Sequence, residues 1–359
     1  MKLPFDNRQT SIYIEVKIRL SMQQTVPLIE FLKGPGPILD VRSLSEFNQG
    51  NIPGSISFPL FNDCERTEIG TTYKKRSRQE AVELGLHLLE PKIEALADQA
   101  AALSTNHSRI LCWRGGMRSG FTARLLELLG QCTYTLQGGY KAYRRWALHR
   151  LGPALTTHPL RLFILGGLTG SGKTAALQAL QKSGEQVIDL ESLAGHRGSV
   201  FGGIGLSPQP TQEQFENSLA FQLENFDCAK PVWLEDESRL IGSCHLPHSL
   251  YQCMLQSPLF LLECPHEERM KNLLAQYGQA RKETLLEATR RIGKRLGSQR
   301  TKLTEELFMQ GKTREAFEQL LYYYDKTYQH QLSQRSTIHP FPVKGTFDLG
   351  QLRKRVIEG

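Results

Sequence analysis

Short apolar runs, separated by polar and glycine-rich segments, recur along this chain. One of them, Ile110–Leu111, leads into a glycine-rich turn, after which apolar residues follow at helical spacing. Because short apolar strands that alternate with helical segments are typical of parallel sheets, the pattern predicts an α/β fold. Further strands are expected at Leu160–Leu165, Gln186–Leu190, Pro231–Leu234 and Leu259–Leu262.

The amino-terminal segment shows a different pattern. Apolar and polar residues alternate strictly from Ile12 to Leu20, which predicts a strand that is buried on one face. Met22 is a second candidate start, so residues 1–21 are interpreted as an N-terminal extension strand in front of the first domain.

The length of 359 residues favours two domains, each with its own core. Glycine and proline residues between positions 152 and 159 break the pattern, so we expect the boundary there. The prediction is a first domain at residues 22–150 and a second at residues 159–359. The second domain ends in a region that is largely helical from Glu267 onward.

Composition and charge narrow the class of protein. Hydrophobic residues make up 40% of the chain and charged residues 22%, which are globular values. The net charge of +8 suits an anionic partner such as a nucleic acid, or simply a basic enzyme. Seven cysteines without zinc-like spacing, and no signal-peptide pattern, favour reduced thiols in the cytoplasm. No apolar run approaches the length of a membrane-spanning helix.

The turn after Ile110–Leu111 carries the first candidate chemistry. Its two glycines allow backbone N–H groups to point inward as an anion-binding nest, and the following helix adds positive potential. With arginines nearby, these features favour a thiolate at Cys112, although a lone cysteine is more often a buried structural residue. We predict Cys112 as the catalytic residue of an anion-binding loop that consists of Trp113, Arg114, Gly115, Gly116, Met117 and Arg118.

A second glycine-rich loop matches the phosphate-binding pattern G-x-x-x-x-G-K-[ST] and lies between a predicted strand and a predicted helix. In this pattern the lysine reaches a terminal phosphate, and the last hydroxyl can hold Mg²⁺. The predicted phosphate-binding residues are Gly167, Gly170, Ser171, Gly172, Lys173 and Thr174.

Acidic residues follow the strand Pro231–Leu234, where a Walker B carboxylate would lie. Glu235 and Asp236 are the candidates for this carboxylate. The corresponding metal site would hold Mg²⁺ between Thr174 and Asp236. A solvated acidic loop is the alternative interpretation.

Basic residues concentrate between Arg281 and Lys302, and tyrosines flank this run. Basic charge beside aromatic rings suits a phosphate backbone and unstacked bases, whereas a solvated helix face also explains a charge run. The polar segment 65–75 is likewise either a solvated loop or a nucleic-acid surface. The candidate nucleic-acid contacts are Arg197, in a separate glycine-rich loop, and Arg290, Arg291, Lys294 and Arg295.

The first domain resembles a rhodanese domain. The resemblance rests on a strand that ends Asp40-Val41-Arg42, a Gly-x-Ile-Pro-Gly turn at residues 50–54, the Cys112 loop and the segment Leu136–Tyr140. Asn51 stands where that family usually has histidine, in a turn outside the catalytic loop. We expect the Asp40 and Arg42 side chains to tie loops together rather than to act in catalysis.

The order of motifs narrows the family further. A rhodanese-like half is followed by the phosphate loop, by His196-Arg197-Gly198-Ser199 and by the segment Glu235–Gly242. From about Met22 to Tyr328, this combination closely resembles the tRNA 2-selenouridine synthase family. The resemblance implies a rhodanese-like domain followed by a P-loop NTPase-like domain with a parallel sheet.

That family resemblance also implies an activity. The expected enzyme converts wobble 2-thiouridine of tRNA to 2-selenouridine, with selenophosphate as the selenium donor. The expected intermediate is S-geranyl-2-thiouridine, made from geranyl diphosphate, because alkylated sulfur is the better leaving group. Cys112 matches the family's essential cysteine, and no tightly bound cofactor or membrane partner is expected.

Two other classes of function remain open from the residues alone. A small-molecule kinase with a regulatory rhodanese module would explain the phosphate loop. A cysteine phosphatase would explain the C-x₅-R spacing of Cys112 and Arg118, although a tetrahedral selenophosphate fits the same wide loop. Specific tRNA binding would separate the first function from both, and the sequence leaves open which loop binds which ligand.

Overall fold

A computed structural model describes residues 23–157, 160–333, 335, 337–343, 347–348 and 350–352. The strand predicted between Ile12 and Leu20, and the extension 1–21 that contains it, lie outside these residues. The chain divides between Leu148 and His149 into two compact units.

The first unit is built on a five-stranded sheet with the order β1-β5-β4-β2-β3, in which every strand pair is parallel. Leu39 and Ile110 of the sheet pack with Leu96 and Leu126 of the helices in one buried core. The strands are β1 (Gln23–Val26), β2 (Ile38–Asp40), β3 (Ile56–Ser57), β4 (His107–Leu111) and β5 (Cys132–Leu136).

Helices connect these strands, and the last of them crosses the boundary between the units. The helices are α1 (Leu28–Lys33), α2 (Leu44–Gln49), α3 (Asp63–Lys75), α4 (Arg78–Leu89), α5 (Ile93–Ala102), α6 (Met117–Leu128) and α7 (Gly139–Leu151). The helix expected after the Cys112 loop is therefore confirmed as α6.

The segment 65–75 is helical, so its interpretation as a loop was wrong. Asn62 caps the helix: its side chain accepts from the Glu65 N–H at 2.9 Å, while the Glu65 carboxylate accepts from the Asn62 N–H. Such a reciprocal capping box satisfies backbone donors that would otherwise lack partners. Polar composition hid this helix, because none of its residues is buried.

The second unit contains a five-stranded sheet with the order β12-β11-β6-β8-β7, again parallel throughout, and a small antiparallel pair of β9 and β10. Every residue of the central strand β6 is buried, as expected of a strand covered on both faces. The strands are β6 (Leu162–Gly167), β7 (Gln186–Ile188), β8 (Val232–Glu235), β9 (Leu240–Ile241), β10 (Cys244–His245), β11 (Leu259–Glu263) and β12 (Ile338–Pro342).

The four strands predicted in this half are confirmed within one or two residues at each end, and the α/β class is confirmed with them. Strand β12 was missed, in a region expected to be helical. It contains Pro340 and Pro342, which cannot donate ladder hydrogen bonds and argue against a strand. Because β12 lies at the edge of the sheet and pairs only with β11, the missing donors are tolerated.

The helices of the second unit include a carboxy-terminal group with a core of its own, in which Met270, Leu286 and Phe317 pack together. No helix in the described part of the chain combines the length and the apolar character needed to cross a bilayer. The helices are α8 (Pro153–Thr157), α9 (Lys173–Lys182), α10 (Leu190–Ala194), α11 (Gln212–Glu224), α12 (His248–Gln256), α13 (His266–Tyr277), α14 (Lys282–Arg291), α15 (Gly293–Leu296), α16 (Ser298–Met309) and α17 (Thr313–Leu332).

Candidate active sites

Cys112 directly follows strand β4, and its side chain is only 3% exposed. The Gly116 N–H donates to its Sγ at 3.3 Å, and the Ser119 Oγ lies 3.3 Å from the same sulfur. Burial raises the pKa of the thiol, but hydrogen bonds from Ser119 and Gly116, with the positive charge of Arg118, outweigh burial. The net pKa of Cys112 is therefore below its ordinary value, which favours the thiolate.

Ser119 is a functional residue that the sequence interpretation missed. It lies in the first turn of α6, is buried, and its hydroxyl also contacts the Gly116 carbonyl oxygen at 3.0 Å. The sequence did contain a signal for this contact. Ser119 lies in the first turn of the helix that begins at the loop, and a side chain at such a position points back toward the preceding turn.

The arginines of the loop have different roles. Arg118 donates from Nη1 to the Glu46 carboxylate at 2.9 Å, so its charge acts on the sulfur from a fixed ion pair. Burial raises the pKa of Glu46, but Arg118 and the Ser43 N–H hold it below its usual range. Trp113, Arg114 and Met117 are exposed instead.

A second turn, in the segment Leu136–Tyr140, packs against the Cys112 loop. Gly115 has a φ of +67°, and a Cβ there would lie 2.5 Å from the Leu136 carbonyl oxygen. A Cβ on Gly139 would lie 2.3 Å from the Cys112 carbonyl oxygen, to which the Tyr140 N–H donates at 2.9 Å. The segment Leu136–Tyr140 therefore fixes the loop, and side chains at these glycines would push the two turns apart.

Asp40 and Arg42 form a buried ion pair outside the loop. The Arg42 Nε donates to both Asp40 oxygens at 2.9 and 3.0 Å, and its Nη2 also donates to the Gly50 carbonyl oxygen at 2.7 Å. The guanidinium stacks over the Tyr140 ring, 3.7 Å from its centroid. Their predicted structural role is confirmed, since the pair joins the turn at Gly50 to the support of the catalytic loop.

A cavity of about 780 Å³ reaches Cys112 from the side of helices α3 and α4. Its lining includes Phe61, which precedes α3, and apolar side chains of the three helices α3, α4 and α6, among them Ile69, Val82, Leu86 and Phe121. The sulfur of Cys112 thus borders an apolar space rather than a purely polar cleft.

The phosphate loop of the second unit lies between β6 and α9, as its motif predicts. Lys173 Nζ donates to the Gly167 carbonyl oxygen at 2.8 Å, so the ammonium spans the loop in which a phosphate would bind. Gly170 has a φ of +83°, and a Cβ there would lie 2.6 Å from the Arg269 carbonyl oxygen. The loop is therefore held against helix α13.

Arg269 is a second residue that the sequence interpretation missed. It is nearly fully buried, donates from Nε to the Thr169 carbonyl oxygen at 2.9 Å, and makes a two-pronged ion pair with Asp325. Asn272 adds a hydrogen bond to the Gly170 carbonyl oxygen at 2.9 Å. The sequence did contain a signal, since Arg269 falls on the same helical face as the apolar Met270 and Leu273, which predicts that it is buried. A buried arginine requires fixed hydrogen-bond acceptors.

Three glutamates surround the phosphate-loop lysine. Glu191 is 3.5 Å from the Thr174 hydroxyl, and Glu235 Oε1 accepts from the Glu191 N–H at 2.7 Å, while Glu235 Oε2 is buried without a partner. Burial is the main cause that raises the pKa of Glu191 and Glu235, and the charge of Asp189 adds to it. Burial and the charge of Glu191 raise the pKa of Glu237 to about 8. Glu237 belongs to the acidic segment that the sequence singled out after β8, whereas Glu191 was not recognised, because it follows a different strand, β7.

Asp236 has a different environment from the one expected of a metal ligand. Tyr328 donates to its Oδ2 at 2.8 Å, and Arg335 forms an ion pair with its Oδ1. Tyr328 also accepts from the Gly167 N–H at 3.0 Å, so Asp236 braces the start of the phosphate loop. The oxygen ligands beside Thr174 come from Glu191 instead.

The described residues contain no cluster of three or more side chains placed to hold a metal ion. Thr174 and Glu191 nevertheless provide oxygen donors at the phosphate loop. Mg²⁺ commonly takes few protein ligands and completes its shell with water and substrate phosphates. The residues therefore fit a metal that arrives with a diphosphate rather than a resident one.

The glycine-rich loop after α10 packs onto the glutamates. A Cβ on Gly198 would lie 2.5 Å from Glu237 Oε2. Arg197 donates to the Ile204 carbonyl oxygen at 3.0 Å and lies 6.0 Å from the centre of the Tyr277 ring. The predicted tRNA contact Arg197 is therefore only partly exposed, and most of its interactions are inside this loop.

The basic run is divided between paired and unpaired charges. Arg290 pairs with Glu305 at 2.7 Å and Arg291 with Glu287 at 2.6 Å. Lys294 and Arg295 are exposed, and no carboxylate within the described residues pairs with them. Of the four candidate contacts in this run, the two without a carboxylate partner among the described residues therefore lie in α15.

Most of the flanking tyrosines are not available for stacking on bases, so that part of the prediction was wrong. Tyr277 is buried in the helical core, Tyr324 accepts from the Val200 N–H at 3.3 Å, and Tyr328 braces the phosphate loop. Tyr322 remains 57% exposed, with the Arg300 guanidinium 3.9 Å from its ring centre. Sequence spacing did not reveal these orientations, because four of the tyrosines, at positions 322, 323, 324 and 328, share one helix but face different partners.

Comparison with known families matches both units. Residues 27–145 match the family model of the rhodanese-like domain. Residues 160–346, more than half of the chain, match the model described as the tRNA 2-selenouridine synthase AAA domain.

Curated relatives match across both units and carry one name, tRNA 2-selenouridine synthase. The relative from Marinobacter nauticus is 36% identical over 83% of this chain and 89% of its own length. The relative from Sulfurovum sp. is 38% identical over 76% of this chain and 79% of its own. The relative from Pseudomonas syringae pv. syringae is 35% identical over 89% of this chain and 94% of its own.

Proposed function

The chain belongs to the tRNA 2-selenouridine synthase family, and from this membership we propose that it converts wobble 2-thiouridine of tRNA into 2-selenouridine. The observation that carries the proposal is the thiolate-stabilising loop at Cys112, in one chain with a complete phosphate loop at Gly167–Thr174. The reaction needs both: an anion-binding centre for selenium transfer and a diphosphate site for activation of the sulfur.

The first proposed step is geranylation at the phosphate loop. The sulfur of 2-thiouridine bonds to the terminal carbon of geranyl diphosphate, the carbon–oxygen bond breaks, and diphosphate leaves. Lys173 can neutralise charge that develops on this leaving group, because its ammonium spans the loop. Mg²⁺ bound with the diphosphate by Thr174 and Glu191 would supply further charge neutralisation.

The second proposed step is selenation at the Cys112 loop. Selenium from selenophosphate bonds to C2 of the uracil, and the sulfur leaves with its geranyl group. The amides that converge on the sulfur and the charge of Arg118 suit a tetrahedral anion beside the thiolate. Cys112 is the residue proposed to act at this centre.

Arg118 argues against a cysteine phosphatase. In such a site we expect the arginine of the C-x₅-R pattern to hold the substrate phosphate with both nitrogens. Here the guanidinium is bound to Glu46, whose charge offsets it. Binding of a selenophosphate anion then depends mainly on the loop amides and on exposed Arg114.

Mass spectrometry of wobble nucleosides tests the proposed function. Purified protein is incubated with tRNA that carries 2-thiouridine, with geranyl diphosphate, and then with selenophosphate. S-geranyl-2-thiouridine should form first, and 2-selenouridine should replace it. Turnover of ATP onto a small acceptor, without any change in the tRNA, would support a kinase instead.

A further inference from the structure

Helix α3 buries little of its surface against the described part of the protein, and of its side chains at the cavity only Ile69 packs against the core of the first unit. The helix is thirteen residues long and buries none of them, although Ile69 and Tyr73 line the cavity beside Cys112. A helix in a compact domain ordinarily gains its stability from an apolar face packed on a core. The uncovered face of α3 therefore suggests a ligand that covers it.

Large apolar side chains gather at the same cavity. Tyr73, Leu86, Trp113 and Met117 all line it, and each is more than a third exposed. Keeping such side chains in water costs about 25 cal/mol for each Å² of apolar surface. Concentrated exposure of this kind marks binding sites, and the volume of about 780 Å³ lies in the range of small-molecule sites.

The charges at the cavity indicate what accompanies the apolar group. Arg66 and Arg118 line the cavity, but both are bound to Glu46. Lys74 and Arg114 also line it, and within the described part of the chain no carboxylate pairs with either. An apolar ligand that carries anionic groups, such as the phosphates of an oligonucleotide, matches this combination.

We propose that the cavity holds the geranyl chain of S-geranyl-2-thiouridine while the modified base meets the Cys112 loop. This assignment rests on the proposed function and places the recognition of the alkylated sulfur in the first unit, whereas the phosphate loop belongs to the second. The apolar lining binds the branched hydrocarbon, and Lys74 and Arg114 contact the phosphates that flank the base.

The chemistry of selenation fits this position of the chain. Selenium of selenophosphate donates the electron pair of the new C2–Se bond, and the C2–S bond breaks. The electrons leave with geranylthiolate, which takes a proton from water, and hydrolysis of the Se–P bond by water releases phosphate. The cavity binds the hydrocarbon of the substrate and of the geranylthiol, so it orients the bond that breaks toward the loop.

A substitution that narrows the cavity tests the proposal. Val82 lies on α4 in the cavity lining, and Val82→Phe adds an aromatic ring there. His87→Phe, at an exposed position outside the lining of the same helix, is the matched control. The probes are anticodon stem-loop oligonucleotides with S-methyl-2-thiouridine or S-geranyl-2-thiouridine, measured for binding and for selenation with selenophosphate.

The wild-type chain and His87→Phe should bind the S-geranyl probe more tightly than the S-methyl probe. In Val82→Phe, Kd and KM for the S-geranyl probe should rise about tenfold, because each buried methylene contributes about fourfold in affinity. In Val82→Phe, turnover of the S-methyl probe should fall less than turnover of the S-geranyl probe, and a thermal unfolding midpoint equal to that of the wild-type chain shows that the variant is folded.

Three results would overturn the proposal: equal binding of the two probes by the wild-type chain, an unaltered S-geranyl preference in Val82→Phe, or weaker binding of geranyl diphosphate alone in that variant. The last result would assign the cavity to the geranyl donor. If the wild-type chain selenates neither probe but Val82→Phe abolishes a binding preference, the cavity assignment stands and the proposed selenation fails.

Discussion

At the scale of single residues, the protonation of Cys112 is determined by side chains and amides that stand apart from it in sequence. Burial alone would favour the neutral thiol. Ser119, seven residues further on, and the Gly116 N–H reverse this preference through direct hydrogen bonds to the sulfur. The thiolate of Cys112 is therefore favoured by how the loop closes rather than by exposure to solvent.

Replacement of Cys112 should abolish selenation specifically. In Cys112→Ala we expect the rate of 2-selenouridine formation from pre-geranylated tRNA to fall by about a hundredfold or more, since the thiolate is lost. The measurement is mass spectrometry of wobble nucleosides over time, with the exposed Cys64→Ala as the control. Selenation by Cys112→Ala at a rate close to that of the wild-type chain would remove Cys112 from the reaction.

Glu237 should make the stability of the protein depend on pH. Its folded-state pKa of about 8 exceeds the value of 4.5 for an ordinary glutamate, so the folded state binds the proton more tightly. The resulting stabilisation is complete below pH 4.5 and is lost as the pH rises to about 8. Glu237→Gln stays neutral, so it should exceed the wild-type stability by about 4 kcal/mol at pH 8 but by less than about 1 kcal/mol at pH 5.

Thermal unfolding of the full chain at both pH values measures this difference. Exposed Glu306→Gln is the control and should leave the pH dependence of the wild-type chain unchanged. If the difference in stability between Glu237→Gln and the wild-type chain is the same at pH 5 and at pH 8, the carboxylate of Glu237 ionises with an ordinary pKa and the prediction is wrong.

At the scale of helices and strands, polar composition concealed two elements that matter most for the sites. Helix α3 is polar because it packs little of itself inward, yet it forms one wall of the cavity at Cys112. Helix α15 is short, and it carries the unpaired charges Lys294 and Arg295, whereas the neighbouring Arg290 and Arg291 are paired. Net positive charge therefore concentrates in a smaller segment than the run in the sequence suggests.

Neutralisation of α15 should weaken tRNA binding for every sequence. In Lys294→Gln/Arg295→Gln we expect a shallower salt dependence of tRNA binding. The negative slope of the log of the association constant against the log of the salt concentration should shrink in magnitude by about 0.7–0.9 for each phosphate that the protein no longer neutralises. Arg290→Gln/Arg291→Gln is the matched control on α14, and its effect should be smaller because glutamates already offset those charges. Filter binding over a range of salt concentrations gives the slopes.

An unchanged slope in Lys294→Gln/Arg295→Gln would exclude α15 as a phosphate-binding surface. The basic helix α7, between Lys141 and Arg150, would then be the next candidate.

At the scale of the whole molecule, each unit contains its own candidate site. The first unit holds a sulfur centre and an apolar cavity, and the second holds a phosphate loop ringed by glutamates. Arg269 and Tyr328 fix the phosphate loop from within the second unit, while Gly139 and Tyr140 fix the Cys112 loop from within the first. Each loop is therefore preorganised by residues of its own unit.

This arrangement predicts a division of labour between the two loops. In Lys173→Ala, geranylation should fall by about a hundredfold or more, because the charge that neutralises the leaving diphosphate is gone. Selenation of pre-geranylated tRNA, which releases no diphosphate, should stay close to the wild-type rate. The two steps are assayed separately on the full-length variant, with Lys182→Ala, at the far end of α9, as the control.

Two results would contradict the separation. Normal geranylation by Lys173→Ala would remove the phosphate loop from that step. Equal failure of Lys173→Ala at both steps, with tRNA binding intact, would indicate one composite site instead.

The sequence by itself determined the elements whose signals are local. Apolar runs located the central strands, and the glycine patterns located both loops, because a tight turn around an anion requires glycine at fixed spacing. The order of these motifs was also sufficient to identify the family, as the comparisons confirm.

Only the tertiary structure decided what surrounds these loops. Ser119, Glu191, Glu237 and Arg269 acquire their roles from neighbours on other turns, strands or helices, and spacing along the chain does not encode such contacts. The edge position that permits prolines in β12, and the apolar cavity beside Cys112, likewise exist only once separate elements pack together. Burial, pairing and pKa depend on distances in space, and for that reason the sequence located the reactive groups but the fold determined their chemistry.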